Sequence, residues 1–228
     1  MENKKNYSVA IDGPSGAGKS TLARSAAREL GILYVDTGAI YRTAALFVRS
    51  RGADPDSEAA AAAILPDLKI SIGYGADGLQ RMYLDGEDVS DAIRLPEVSM
   101  LASRVSSLPA VRAFLLEMQR SLAKEQSVIM DGRDIGTVVL PGADVKIFLT
   151  ASAEERARRR FLELEKRGTP KDYDELLREI EERDYNDSHR AAAPLRQPED
   201  GVTLDTTGLD FRQSLERLLE IIRGRMAL

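Results

Sequence analysis

Eight residues near the N-terminus constrain the fold more than any other part of the chain. Residues 13–20 read Gly-Pro-Ser-Gly-Ala-Gly-Lys-Ser, which fits the phosphate-binding pattern GxxxxGKS. They follow a β-branched run that ends at Asp12, and they precede apolar positions at helical spacing that stop at Gly31. A loop between a buried strand and a helix is typical of parallel sheets, so the sequence predicts an α/β fold.

The same loop predicts a nucleoside triphosphate site. Its glycines let backbone N–H groups point at phosphate oxygens, and the following helix adds the positive end of its dipole. Lys19 is predicted to reach the β and γ phosphates, and the hydroxyl of Ser20 is predicted to ligate Mg²⁺. The predicted phosphate-binding residues are Gly13, Pro14, Ser15, Gly16, Ala17, Gly18, Lys19, Ser20 and Thr21.

The composition narrows the classes of partner. The chain has 228 residues and one histidine. It has no cysteine, which excludes disulfides and thiolate metal sites. A net charge of −5 argues against a nucleic-acid polymer as partner, since such domains usually carry a basic excess. The longest stretch without a charge is residues 135–143, too short for a membrane span. We therefore expect a cytoplasmic protein that binds small phosphorylated molecules. We also expect a monomer, although composition and charge do not bear on this.

Strand-like runs alternate with helical patterns along most of the chain, which predicts a doubly wound five-stranded parallel sheet with right-handed crossovers. The five predicted strands are Tyr7–Asp12, Leu33–Asp36, Ser127–Asp131, Asp144–Leu149 and Val202–Asp205.

The pattern changes between Leu68 and Val89, where short alternating runs are separated by turn residues. This predicts a small antiparallel β subdomain inserted into the parallel fold, with helices after it. We therefore expect one phosphate-loop domain over residues 1–228. Its core is 1–65 and 107–228, and the insertion is 66–106. The insertion is predicted to form one wall of the pocket for a second substrate, the acceptor, and the alternative is a stabilising or oligomerising appendage.

One late helix is predicted to carry a charged stripe at i, i+4, i+7 spacing. A helical face that begins apolar and continues charged is costly unless the charges have partners, either one another or a phosphate and a sugar hydroxyl. The residues alone leave both alternatives open. His189 lies off the stripe and is predicted to be exposed. The stripe consists of Leu176, Ile180, Arg183, Asp187 and Arg190.

Four blocks together resemble the bacterial cytidylate kinase family, and the resemblance covers essentially the whole chain. It implies transfer of the γ-phosphoryl group of ATP to CMP or dCMP with Mg²⁺. The blocks are the phosphate loop, Asp-Thr-Gly-Ala-Ile-Tyr-Arg at 36–42, Asp-Gly-Arg-Asp-Ile-Gly-Thr-Val-Val at 131–139, and the charged residues from Arg183 and Asp184 through Asp187 to Arg190.

The first three blocks are each predicted to lie just past the carboxyl end of a strand, where ligands of open parallel sheets bind, so we expect them to converge on one cleft. The resemblance implies that Arg42, Arg133 and Arg190 bind the acceptor phosphate and that Arg183 and Asp187 lie at its ribose. Cytosine offers an amine donor and acceptor positions, so its reader should include a carboxylate and a donor. Family positions for the base are Ser103, Arg112 and Asp134, and the implied acceptor-binding set also includes Thr37.

A second arginine cluster follows a helix start predicted at Ser152 and Glu155. The resemblance implies a short mobile lid over ATP at about residues 152–172, and the alternative is an exposed helix face whose charges are balanced by glutamates. The cluster is Arg156, Arg158, Arg159 and Arg160. The residues predicted to take part in catalysis are Lys19, Arg133, Arg190 and Arg158.

Two other functions are weighed against a CMP kinase. A phosphate-loop kinase of a small metabolite such as shikimate or gluconate would need a base for its hydroxyl nucleophile. A CMP kinase needs none, because a phosphate oxygen with a second pKa of ~6 is already largely ionised. A regulatory GTPase is disfavoured, because the chain has no Asn-Lys-x-Asp motif.

Overall fold

The computed structural model of the chain describes residues 6–226, and its centre is a five-stranded parallel sheet in the order β2-β6-β1-β7-β8. The prediction of this sheet is confirmed, with two strands lying one residue later than expected. Its strands are β1 (Ser8–Asp12), β2 (Leu33–Asp36), β6 (Val128–Gly132), β7 (Val145–Thr150) and β8 (Val202–Asp205).

Helices follow most strands, as the alternating pattern predicts. In the described residues they are α1 (Lys19–Leu30), α2 (Thr37–Ser50), α3 (Glu58–Ile64), α4 (Pro96–Val105), α5 (Pro109–Glu125), α6 (Ala153–Lys166), α7 (Tyr173–His189) and α8 (Phe211–Met226). No helix in the range 6–226 is both long and apolar enough to cross a membrane.

The sheet and two helices share one apolar core. Val9 and Ile11 of β1 are fully buried with Leu22 of α1 and Leu218 of α8 in the same cluster. Each such side chain contributes about 1.5–3 kcal/mol through burial, and this burial fixes the strand ends that carry polar residues.

The predicted antiparallel insertion is confirmed as three short strands. They are β3 (Ile70–Tyr74), β4 (Gln80–Leu84) and β5 (Glu87–Asp88). Ile72 pairs with Met82, which is buried, so the sheet has one apolar face. Helices α4 and α5 come after it, as predicted.

The chain divides into two compact units. Within residues 6–226, the first unit comprises the residues up to Tyr34 and from Glu125 onward, and the second unit is Val35–Lys124. The second unit is longer than the insertion 66–106, whose role in binding an acceptor stays a prediction.

Candidate active site

The phosphate loop turns sharply after β1, and its glycines are required by geometry at two positions. A Cβ at Gly13 would lie 1.9 Å from the carbonyl oxygen of Leu149 on β7, so only glycine lets the loop pass β7 at this distance. Gly18 has φ 89° and caps the N-terminus of α1 in a left-handed conformation that other residues rarely adopt. The loop therefore presents backbone N–H groups at a helix start, which is the arrangement that binds phosphate.

Lys19 is the first residue of α1, and its side chain folds back into the loop. Its Nζ donates to the carbonyl oxygen of Pro14 at 2.8 Å, and only 6% of the residue is exposed. Burial lowers the pKa of the Lys19 amine to about 7, and the nearby guanidinium of Arg133 acts in the same direction. The ammonium of Lys19 therefore lies where added negative charge would stabilise it.

Ser20 faces a carboxylate that comes from the end of another strand. Its Oγ donates to Oδ2 of Asp131 at 2.8 Å, and the hydroxyl of Tyr34 donates to Oδ1 of the same carboxylate at 2.8 Å. Because β6 lies beside β1, with Asp131 opposite Ile11, the carboxylate reaches the start of α1. A hydroxyl and a carboxylate in contact beside a phosphate loop suit a cation that also binds phosphate oxygens.

Asp12 is fully buried at the end of β1 and fixes the segment after β6. Its two carboxylate oxygens accept from the backbone N–H groups of Ile135 and Gly136 at 2.6 and 2.7 Å. These residues begin a π-helical turn, Ile135–Val139, directly after Arg133 and Asp134. Such turns are rare in proteins, and those that occur often lie at functional sites. The direction of the chain at Arg133 and Asp134 therefore depends on Asp12.

Burial raises the pKa of the Asp12 carboxyl to about 6, although the two N–H groups act in the opposite direction. The folded state then binds more protons than the unfolded state between pH 4 and 6, so the free energy of unfolding falls as the pH rises through this range. We expect a ¹³C NMR titration of Asp12 with a midpoint near 6, and we expect Asp12→Asn to remove this slope.

Asp205 provides the matched control for that titration. Hydrogen bonds from the hydroxyl and N–H of Thr207 lower the pKa of its carboxyl. Its stabilising contribution is therefore lost as the pH falls, and Asp205→Asn should change the pH profile with the opposite sign. A midpoint for Asp12 near 4 would contradict the geometry described for its burial.

The charged stripe of α7 is only partly as predicted. Asp187 is buried, and its Oδ2 accepts from Nε of Arg133 at 2.6 Å. Arg183 is exposed, so the prediction that the stripe buries it was wrong. Arg190 lies beyond the helix in an extended conformation, so it does not continue the helical face. His189 is exposed, as predicted.

Arg190 nevertheless lies in the same group of charges as the end of β6. Its Nε donates to the carbonyl oxygen of Ala193 at 2.7 Å, and one of its two terminal nitrogens lies 3.4 Å from Oδ1 of Asp134. Asp134 is 5% exposed. The charged partners of Asp187 and Arg190 therefore come from the loop after β6 and not from α7 itself. These ion pairs offset the cost of burying the charged side chains.

The arginines of α6 differ sharply from one another. The N-terminus of α6 is capped by Ser152, as predicted, and Arg158 pairs with Glu155 through both of its carboxylate oxygens at 3.0 Å. Arg160 pairs with Glu163 at 2.8 Å. These two contacts match the charge-balanced alternative, and a lid role for Arg158 stays a prediction. Arg156 is 4% exposed and belongs to the interior.

The second unit holds a guanidinium, that of Arg42, which reaches back to the N-terminus of α2. Asp36 caps this helix through the N–H of Ala39, and its other carboxylate oxygen accepts from Arg42 at 3.0 Å. The Nε of Arg42 is buried and has no hydrogen-bond partner among the described residues. Thr37, the first residue of α2, is buried. An unsatisfied cationic donor at a helix N-terminus is suited to an anion.

The inserted sheet supports this turn. The side chain of Gln80, on β4, accepts from the N–H of Asp36 at 2.8 Å and donates back to its carbonyl oxygen at 3.4 Å. The insertion therefore fixes the residue that caps α2 and pairs with Arg42. No local sequence signal predicted this contact, because the two residues are far apart in the chain.

The predicted base-reading residues of the second unit lie near one another. The guanidinium of Arg112 is 5.7 Å from the ring centre of Tyr41 and donates to the carbonyl oxygen of Ser106 at 3.2 Å. The hydroxyl of Ser106 in turn bonds the carbonyl oxygen of Ser103, whose side chain is exposed. Tyr41 directly precedes Arg42, so the turn of α2 and this donor pair share one region of the unit.

Two residues of the site were missed by the sequence analysis. Asp131 and Asp12 both end buried strands, and an acidic residue at the carboxyl end of a parallel strand is the signal that could have found them. Among residues 6–226 no three acidic or histidine residues lie close enough to hold a metal ion.

A strand-loop-helix phosphate site with a buried lysine, in a parallel sheet, defines the class of phosphate-loop nucleoside triphosphate-binding proteins. A family model described as Cytidylate kinase matches residues 9–224. The protein named Cytidylate kinase of Caldicellulosiruptor bescii is 51% identical over 217 residues, which cover 95% of this chain and 96% of that one. That of Geobacter sulfurreducens is 48% identical over 97% of this chain and 95% of its own.

This chain therefore belongs to the cytidylate kinase family. A solved structure of an uncharacterized protein from Eubacterium ventriosum aligns with a TM-score of 0.53 at 11% identity, covering 96% of this chain and 99% of that one. At that identity the likeness supports the fold alone.

Proposed function

We propose that the protein transfers the γ-phosphoryl group of ATP to CMP and dCMP, giving CDP and dCDP. The observation that carries the proposal is the group around Lys19, where the phosphate loop, the Ser20–Asp131 contact and the Arg133–Asp187 pair lie in one unit. Membership of the cytidylate kinase family supports the choice of acceptor. The proposal also keeps the expectations of a monomer and of a cytoplasmic location.

The donor side follows from the loop. Backbone N–H groups of residues 13–20 would bind the β and γ phosphates, with Lys19 stabilising the charge that develops between them. Mg²⁺, held by phosphate oxygens with Ser20 and Asp131, would neutralise the triphosphate. This chain's residues then bind, orient and screen, which is nearly all that phosphoryl transfer requires.

The acceptor side needs cations instead of a base. The attacking phosphate oxygen is already largely ionised near neutral pH, and the one histidine of the chain is exposed. Arginine suits the task because its planar fork binds phosphate oxygens through two parallel bonds. We assign Arg42, Arg133 and Arg190 to the acceptor phosphate.

Ribose and base are assigned to the remaining residues. Asp187 can accept from Arg133 and from a ribose hydroxyl at once, because an ionised carboxylate has two oxygens. We assign Arg183 to the same ribose. Asp134 can likewise accept from Arg190 and from the cytosine amine. Ser103 and Arg112 would meet the acceptor edge of the base.

A coupled assay with ATP, Mg²⁺ and a panel of acceptors tests the proposal. The panel is CMP, dCMP, UMP, AMP, shikimate and gluconate. We expect the highest kcat/KM for CMP and dCMP and no turnover of the two hydroxyl acids. Preferred phosphorylation of shikimate or gluconate would replace this proposal with a small-metabolite kinase.

Base recognition gives a sharper prediction. Asp134→Asn should lower kcat/KM for CMP on the order of 10-fold and narrow the preference over UMP, because an amide can donate to the carbonyl that uracil carries in place of the amine. Both substrates are measured with each protein. Asp85→Asn is the matched control, since Asp85 is exposed and its φ of 53° suits asparagine. An unchanged CMP to UMP ratio in Asp134→Asn means that Asp134 does not read the base.

A further inference from the structure

Arg156 is the most buried guanidinium of α6, and it contacts three separate segments. Its Nε donates to the carbonyl oxygen of Ala151 at 2.9 Å. One terminal nitrogen donates to the carbonyl oxygen of Ser15 and to Oδ1 of Asp184, both at 3.0 Å. The other donates to Oδ2 of Asp184 at 2.5 Å. Four of its five N–H donors are thereby used on protein oxygens, so this arginine is already committed.

The contact with Ser15 determines how the tip of the phosphate loop is oriented. In a planar trans peptide the C=O and the following N–H point in opposite directions. Holding the Ser15 carbonyl toward Arg156 therefore turns the N–H of Gly16 away from Arg156. In loops of this kind the N–H groups that bind phosphate oxygens point into the concave side of the loop.

Gly16 makes this control necessary. It has φ 76°, and glycine populates positive and negative φ almost equally, so the Ser15–Gly16 peptide can rotate at little cost. The methylene groups of Arg156 pack beside it, and a Cβ at Gly16 would lie 3.5 Å from the Cβ of Arg156. Arg156 thus selects one of two accessible peptide orientations.

Asp184 holds the guanidinium from the other side and belongs to α7. Three residues later on the same helix, Asp187 holds Arg133. Residues three apart lie on neighbouring positions of a helix surface. One helix therefore contacts both the arginine that orients the phosphate loop and the arginine assigned to the acceptor phosphate.

We propose that Arg156 is a positioning residue of the donor site, which orients the N–H of Gly16 toward the triphosphate through the Ser15 carbonyl and is itself held by Asp184. It does not contact the nucleotide. The inference deepens the proposed function at the same site, and it rests on that proposal only for the identity of ATP as the donor. If the binding-competent orientation falls to about one tenth of the population, the apparent Kd for ATP rises about 10-fold.

Separate titration calorimetry of MgATP and of CMP tests this inference with Arg156→Lys and Asp184→Asn. Lysine keeps the charge but cannot reach three oxygens, so we expect Arg156→Lys to raise the Kd for MgATP about 10-fold and to leave the Kd for CMP alone unchanged. Asp184→Asn keeps one acceptor and should raise the Kd for MgATP less. The amide resonance of Gly16 in the nucleotide-free protein should shift in both variants.

Arg212→Lys is the matched control, because Arg212 is exposed and pairs with Glu216 on α8, and it should alter neither affinity. A folded Arg156→Lys protein with wild-type ATP affinity overturns the inference, as does an equal loss of ATP and CMP affinity. If Arg156→Lys fails to fold, wild-type ATP affinity and an unmoved Gly16 resonance in Asp184→Asn overturn it. A wild-type protein that binds ATP but does not phosphorylate CMP defeats the proposed function and leaves this test valid.

Discussion

Replacing Lys19 with alanine is expected to lower kcat for CMP phosphorylation by on the order of 10²-fold or more, because it removes a donor to charge that develops in the transition state. The Nζ of Lys19 donates to the carbonyl oxygen of Pro14, which lies in the loop and not in a strand. The fold should therefore persist. Steady-state kinetics with saturating ATP and CMP measure the effect, and Lys69→Ala, at an exposed position, is the control.

The same variant makes a prediction on stability. Because burial lowers the pKa of Lys19 to about 7, the unfolded chain binds more protons than the folded chain between about pH 7 and 10. The free energy of unfolding of the nucleotide-free protein should rise with pH over this range, and Lys19→Ala should lack that rise. Near-normal turnover in a folded Lys19→Ala protein would contradict the role given to the phosphate loop.

Asp131→Asn has the second largest expected effect. Its carboxylate accepts from Ser20 at 2.8 Å, and an amide at this position would remove the negative charge beside Ser20, the proposed Mg²⁺ ligand. We expect kcat/KM to fall on the order of 10²-fold and the Mg²⁺ concentration for half-maximal rate to rise. Activity measured across a series of Mg²⁺ concentrations checks both.

Tyr34→Phe is the control for Asp131. It removes the hydrogen bond to the other carboxylate oxygen and leaves the contact with Ser20 in place. Loss of this one hydrogen bond from a hydroxyl to the carboxylate should change kcat/KM by roughly 10-fold, less than removal of the carboxylate charge. If both variants lose the same activity with the same Mg²⁺ dependence, Asp131 acts by supporting the strand and not through the cation.

The sheet was predictable because its strands are short, buried and β-branched, and because the phosphate loop requires a strand before it. The order of the strands was not. Asp131 reaches Ser20 only because β6 pairs with β1, and this pairing joins residues more than 100 positions apart with no local signal. The two missed carboxylates both depend on such long-range pairing.

The end of α7 shows a different limit. After His189 the chain reads Arg-Ala-Ala-Ala-Pro, and alanines favour a helix, so the spacing predicted that Arg190 would continue the stripe. In the structure the N–H of Leu195 bonds the carbonyl oxygen of Asp187, so the chain folds back onto the last turn. Tertiary contacts decided this end of the helix, which local propensity could not predict.

The spacing of the arginines of α6 could not predict which of them is buried and which is exposed. Arg156 and Arg160 are four residues apart, so the pattern places them on one helical face. One is buried against Ser15, 141 positions away in the chain, and the other is exposed beside Glu163. Only the fold distinguishes a guanidinium that positions the phosphate loop from one on the surface.

The measurement that tests the central claim most directly is ³¹P NMR of the wild-type protein with Mg²⁺, ATP and CMP. Phosphoryl transfer predicts that the CMP and ATP γ-phosphate resonances decline together while those of CDP and ADP grow in equal amounts. Lys19→Ala under the same conditions should leave the spectrum nearly unchanged over that time. Conversion of ATP to ADP and inorganic phosphate with CMP untouched, or no change with the wild-type protein, would contradict the account.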